Sequence, residues 1–309
     1  MTLGVVVDVM LALALVGLSV RVVTGAALFR DIVLFILFGL VVAMSWARLG
    51  APDLALAEAA IGAGLTGALM LMTFRTIGPE QAPSGERRRP LLAIVVAVLT
   101  GSLVAVIGLT GLAVEGPSDS AGAAVQLALP ETGLGNAVTG VLLVFRGLDT
   151  MLEMAVLLVA LLGAWAVLGD ARPGRLHRVD RRTPLVGSLL TVVVPLTLLV
   201  ATHLLLAGTD APGGAFQAGA VLTGCGVLLV LTGTLRPTAA AGLLTRLVVI
   251  AGLAAFVLVG AGAVLAGRPP MALPGTWAVY LIETAMMLSI ALTMTLLFAR
   301  ARGFGGERS

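Results

Sequence analysis

The chain has no lysine, one cysteine, one tyrosine and few charges: 11% of its 309 residues are Asp, Glu, Lys or Arg. A soluble domain carries roughly 25%. Set against 59% hydrophobic residues and a mean hydropathy of +1.10, this leaves too little polar side chain to cover an apolar core. The composition therefore demands a bilayer. The lone Cys225 excludes an intrachain disulfide, and one thiol is no metal site. There is no Cys/His cluster for haem, iron–sulfur or zinc, no GxxxxGK[ST] loop and no dinucleotide fingerprint before a helix. No cofactor is expected, and neither redox chemistry nor ATP hydrolysis. The formal charge of +3 does not imply a nucleic-acid partner, because the arginines lie in loops between apolar runs. The short alternating segments of a membrane barrel are missing too, so the fold class is all-α, integral to the membrane.

What is present is a series of long apolar runs. Crossing the hydrocarbon takes roughly 20 such residues as a helix. Nine runs qualify, at about 2–20, 31–49, 53–74, 90–114, 149–169, 184–208, 214–235, 240–265 and 276–299. The first lacks a basic leader and a cleavage site and reads as a retained helix. Arginines crowd alternate loops: Arg21 and Arg30; Arg75 and Arg87–Arg89; Arg172 through Arg182; Arg236; Arg300, Arg302 and Arg308. By the positive-inside rule the amino terminus is outside and the carboxyl terminus cytoplasmic. Two polar cytoplasmic loops, 78–90 and 169–184, divide the chain into three, two and four spans. The expected units are 1–83, 84–175 and 176–309. The external segment 115–135 has room for a short interfacial helix.

Several runs contain ionisable side chains, which are costly at membrane depth and usually face a partner or a polar path. In residues 136–168, Asp149 and Glu153 are spaced i, i+4, and Arg146 is i, i+3 from Asp149. Gly147 and the charges predict a helical piece up to Phe145, a break at Arg146–Gly147 and a new helix from Asp149. Irregular backbone at this depth is tolerated where it is buried in protein or lines a wet cavity. The plain alternative is a structural Arg146–Asp149 pair at a membrane boundary.

In residues 50–65, Pro52 and Asp53 read as a helix start, with Asp53 as a cap. Glu58 lies too deep to cap anything, and a carboxyl in low dielectric can take up and release protons near neutrality. Gly62, Gly64 and Ala68 are small enough to admit a neighbouring helix. His203 and Glu283 are further relay candidates, each with an ordinary structural alternative. Pro212, Gly213 and Gly214 form a tight turn, and Ala215, Gly219, Ala220 and Gly224 have small-residue spacing. Gln217 is placed near the membrane edge. Asp8 and Asp31 read as solvated span ends.

These motifs resemble a known family. Residues 36–69 (ILFGLVVAMSWARLGAPDLALAEAAIGAGLTGAL) are similar to a small domain at the carboxyl end of the large subunit of Mrp-type sodium/proton antiporters, found as a separate subunit in membrane-bound hydrogenases. Residues 145–168 (FRGLDTMLEMAVLLVALLGAWAVL) resemble the domain that follows it. Residues 208–221 (GTDAPGGAFQAGAV) resemble the hairpin of the Mrp B subunit. The order matches those assemblies, so the resemblance implies a fusion of three small subunits. It departs at Thr209–Asp210, where a pair such as His-Asn is usual, and at Ala57, often Thr. Without lysine the chain is not a large antiporter-like subunit.

The resemblance implies a subunit of a complex I-related, ion-translocating assembly in the cell membrane, with other subunits as partners and protons and sodium as cargo. It carries over Asp53, Glu58, Arg146, Asp149 and Glu153 to the ion path, and Pro212, Gly213 and Gly214 as structural. Glu58 and Glu153 are expected to exchange ions, with Arg146 and Asp149 tuning them. A scaffold subunit that moves no ion is the competing expectation.

Overall fold

The computed structural model describes residues 3–25, 27–77, 90–113, 121–168, 184–235 and 242–301. Among them are eleven helical elements and no strand. Helix α1 is Leu3–Thr24 and α2 is Leu28–Arg48. Helix α3 runs through three pieces, Pro52–Ala57, a π-helical Glu58–Leu65 and Thr66–Ile77. Helix α4 is Pro90–Ala113 and α5 is Ala121–Thr132. Helix α6 joins Ala137–Thr139 to a π-helical Gly140–Phe145. Helices α7 to α11 are Gly147–Leu168, Pro184–Ala207, Ala215–Leu231, Leu243–Leu265 and Thr276–Ala301. Most of the arginines used to orient the chain (Arg87–Arg89, Arg172–Arg182, Arg236, Arg302 and Arg308) lie outside the described residues.

The chain is a multi-pass, all-helical membrane protein. Among the described residues, seven helices are long and apolar enough to cross a bilayer. The expected span at 90–114 is matched by helix α4, Pro90–Ala113, whereas the run at 214–235 corresponds to a shorter apolar helix, Ala215–Leu231. Helices α5 and α6 form a pair bent by 92°, which counted as one broken span would make eight. A helix therefore does occupy part of the segment 115–135, as its composition suggests, but it continues into a sharp bend.

Lipid tails are as apolar as leucine, so helices in a bilayer associate through close fit and polar links. Helix α11 is the hub, packed by α9, α10, α7 and α8. Ile282, Met286 and Ile290 on α11 are fully enclosed with Ala218 and Phe256. A Cβ on Gly219 would sit 2.9 Å from Ile290 Cγ2, so only glycine lets α9 and α11 approach this closely. Ala215, Gly219 and Ala220 are buried, whereas Gly224 is exposed and faces open space. Ser289 on α11 donates to the Val249 carbonyl on α10.

Helices α2 and α3 form a second layer, with Gly39 against Ala63. Of the small residues expected to admit a neighbour, Gly62 is instead covered by the side chain of Glu58. Helix α1 lies against α2 and buries no residue. Asp8 and Arg48 join these two helices in an ion pair at 2.9 Å, and Asp31 pairs with Arg30 at 3.4 Å. Helix α4 exposes every residue from Ile94 to Thr110.

Candidate ion-handling site

Four elements meet at the turn between α8 and α9. Its backbone doubles back tightly: the Gly214 amide donates to the Leu204 carbonyl at 2.8 Å. Gly213 and Gly214 have φ of 159° and 111°. A Cβ on Gly213 would overlap the Leu204 carbonyl oxygen, and one on Gly208 would sit 2.6 Å from Gly214 Cα. The left-handed φ of Gly214 and the lack of space at Gly208 and Gly213 explain why this turn is built from glycine. Pro212 is exposed at its tip.

Asp53 reaches this turn from α3. It is not a cap: Ala51 occupies the N-cap position, with no side-chain cap bond. The Asp53 carboxylate is buried and accepts the Gly213 amide at 2.9 Å, across 160 positions of sequence. Gln217 is buried and donates its side-chain amide to the Asp53 carbonyl at 3.3 Å. Together they latch α3 to the start of α9.

Asn136 and Thr139 hold the other side. Asn136 caps α6 by accepting the Val138 amide at 2.9 Å, and its own side-chain amide donates to the Ala211 carbonyl at 2.9 Å. The Gly135 and Asn136 backbone amides both donate to the Thr209 carbonyl at 2.9 Å. Thr139 donates to the Gly208 carbonyl. Thr209 bonds Asp210 at 2.9 Å and lies 3.2 Å from the Tyr280 hydroxyl on α11. Asn136 is not among the residues that the sequence singles out by charge or spacing. The available signal is an Asn immediately before the apolar AVT, an ordinary helix-start pattern.

Glu283 approaches from α11. It is buried, accepts the Ala215 amide, and its Oε1 lies 3.1 Å from where a Gly214 Cβ would be. Its Oε2 is buried without a hydrogen-bond partner among the described residues. Asp53 and Glu283 thus meet consecutive parts of one turn, the amino end of α9, where the helix dipole favours anions.

The second group of charges sits on the α6–α7 break. Arg146 leaves helical geometry at φ −131°, its amide reaching back to the Val141 carbonyl at 2.8 Å. The expected break thus falls where glycine and charge coincide, although the new helix starts at Gly147 rather than Asp149. Thr150 donates to the Leu142 carbonyl at 2.7 Å, which brings the first turn of α7 back beside the last turn of α6. Arg146 and Asp149 form an ion pair on an exposed surface. Glu153 is exposed one turn further on.

Glu58 opens the π-helical piece of α3, half-buried, with its carboxylate over Gly62. A π segment widens the helix and leaves carbonyls reaching for i+5 donors. Here Thr66 Oγ1 donates to the Ile61 carbonyl at 2.9 Å. Such segments are frequent at functional sites.

The structure therefore brings Asp53, Glu283 and the Pro212–Gly214 turn together, and keeps Arg146, Asp149 and Glu153 as a separate group. The π piece of α3 packs on α2 and α9, while α7 packs on α10 and α11. Arg146 and Asp149 are neighbours of Glu153, not of Glu58. His203 points outward from α8 and has no polar partner among the described residues. Those residues include no cluster of three or more His, Cys, Asp or Glu side chains placed to hold a metal ion.

Comparison with known proteins divides the chain in the same order. The family model MbhD, described as the D subunit of MBH, matches residues 12–79. MbhE, described as the E subunit of MBH, matches 87–180. MnhB, a domain related to the MnhB subunit of Na+/H+ antiporter, matches 185–300. A protein of Rhizobium meliloti (strain 1021), named as a probable A/B subunit of a K(+)/H(+) antiporter, is 26% identical over 230 residues, or 64% of this chain and 23% of its own length. A chain from the structure of the Mrp complex from Dietzia sp. DQ12-45-1b superposes with a TM-score of 0.77 at 21% identity, covering 97% of this chain and 35% of that one. The chain thus spans about a quarter of the curated relative and about a third of the solved chain. At that identity the superposition speaks for the fold. From residue 12 to residue 300 the chain is a fusion of MbhD, MbhE and MnhB-related units, the small membrane subunits of Mrp and MBH systems joined in one polypeptide.

Proposed function

We propose that this chain is a membrane subunit of a multisubunit cation/proton antiporter of the Mrp type, or of a related complex, and that its intramembrane acids contribute to a proton/sodium path. The supporting observation is Glu58, an acid at membrane depth placed at the mouth of a π-helical segment. Glu153 supplies the second candidate. It is exposed on a helix with apolar neighbours such as Leu152 and Val156 exposed beside it. A carboxylate facing lipid is unfavourable by a few kcal/mol or more, so a partner subunit covers it, and the path at Glu153 runs along that interface. Arg146 and Asp149 set the charge around Glu153, whereas Glu58 acts apart from them.

On this reading the three units divide near 1–83, 84–175 and 176–309, the amino terminus faces outside and the hairpin turn lies at the outer end. The partners are other subunits of the same complex. Whether the drive is cation exchange or a redox-linked subunit is decided by those partners. Asp53 favours a second role beside transport: its link to Gly213 is one a scaffold uses to fix α3 on α9.

The experiment is cation-dependent proton exchange in membrane vesicles containing the complete complex, with Glu58→Gln and Glu153→Gln introduced singly and assembly checked on native gels. Exchange reduced tenfold or more at wild-type assembly supports the path. Full exchange from both assembled variants leaves the chain a scaffold.

A further inference from the structure

Asp53 and Glu283 are buried, and among the described residues neither carboxylate has a basic side chain within ion-pair distance. One helix terminus supplies roughly half a positive charge, while two ionised carboxylates supply two negative ones. The amides at the turn are already assigned: Gly213 to Asp53, Gly214 to Leu204, Ala215 to Glu283. Glu283 Oε2 is left with nothing.

Among the described side chains, the titratable ones on the helices packed against α11 are Asp53 and Glu58 on α3, Asp149 and Glu153 on α7, His203 on α8, Cys225 on α9 and Arg246 on α10. Asp53 shares the turn with Glu283 as a buried acid, while Asp210 in the turn itself is exposed and bonded to Thr209. Tyr280, on α11 itself, is engaged by Thr209. One positive charge is missing from this site, and isolated buried charge is relieved by neutralisation.

We propose that Glu283, facing Asp53 across the Pro212–Gly214 turn, holds one exchangeable proton at the junction of the MbhD-like and MnhB-like units. The proton bound to Glu283 leaves Asp53 as the single buried anion at the α9 terminus. Its release creates a second anion at the same terminus, which loosens the latch between α3 and α9. This extends the proposed path to the third unit and rests on that reading only for its role in transport. Protonation itself is measurable without transport.

The test is infrared difference spectroscopy of the full chain in lipid nanodiscs, titrated through the acidic and neutral range. A protonated-carboxyl band is expected that rises and falls with pH, is absent from Glu283→Gln, shifts in Asp53→Asn, and is unchanged by sodium or potassium. Glu283→Asp, which retains an acid, must keep a titrating band. Carboxyl-13C glutamate must shift the wild-type band, which tests the assignment without any substitution. Identical spectra for wild type and Glu283→Gln, a band that never titrates, or one abolished by added sodium or potassium each overturn the proposal. The last assigns the charge to a metal cation. Loss of exchange in Glu58→Gln without a titrating Glu283 band is a failure of this proposal alone, and a titrating Glu283 band with full exchange in Glu58→Gln and Glu153→Gln is a failure of the wider reading alone.

Discussion

At the residue scale, Asp53 shows how a local pattern and its tertiary use can differ. Its position after Pro52 predicts a cap, since Asp near a helix start usually bonds orphan amides of its own helix. The amide it takes belongs instead to Gly213 in another unit. No spacing rule reaches across 160 residues, so this contact is not legible in the sequence. Glu283 is visible as a charge within an apolar run, but its orphan oxygen is not. Replacing Asp53 with Ala removes a charge-assisted bond worth about 1.5–3 kcal/mol. It is expected to lower the melting temperature of the chain in nanodiscs and to increase proteolysis at the α8–α9 turn. Asp53→Asn retains an acceptor and is expected to lose less. Gly213→Ala forces a Cβ onto the Leu204 carbonyl, at a cost of about 1–3 kcal/mol from overpacking. Equal melting of the Gly213→Ala variant and wild type contradicts the geometry given for the turn.

At the scale of elements, the breaks are the informative parts. The α6–α7 break is readable because Arg146, Gly147 and Asp149 interrupt an apolar run with residues that suit a helix end better than its middle. The π segments are not readable: no sequence rule marks Glu58–Leu65 as a widened helix, and its packing against α2 and α9 is visible only in the structure. The bend between α5 and α6 is hidden as well, because it depends on Asn136 holding the distant α8–α9 turn. Thr150 stabilises the fold-back by accounting for the Leu142 carbonyl. Thr150→Val leaves that carbonyl without its donor and is expected to destabilise by about 1–3 kcal/mol. Faster amide exchange around Leu142–Arg146 in Thr150→Val would report it, and unchanged exchange would show that the bond is dispensable.

At the scale of the whole molecule, membrane class and helical content follow from composition alone, since a chain so poor in charge has no soluble alternative. The family order is legible because three short motifs occur in sequence. The number of crossings is less so: one run that looks like a span, 214–235, is shorter as an apolar helix, and one segment that reads as a loop bends into a helix pair. What composition cannot show is which faces remain uncovered. Helix α4 and the outer face of α1 expose Leu, Val and Ile throughout, and Glu153 is exposed among apolar neighbours. Cysteines placed at Leu152 and Val156 are therefore expected to be labelled by a membrane-soluble maleimide in the isolated chain and protected in the complex. Equal labelling in both states would remove the partner from that face.

The central claim is that carboxylates set into these helices serve a passing cation. Its most direct measurement is a cryo-electron microscopy map of the assembled complex fine enough to show ordered water. The predicted result is a continuous hydrated connection that touches Glu58 and Glu153 and opens to at least one side of the membrane. Dry, fully packed protein around both acids would contradict it.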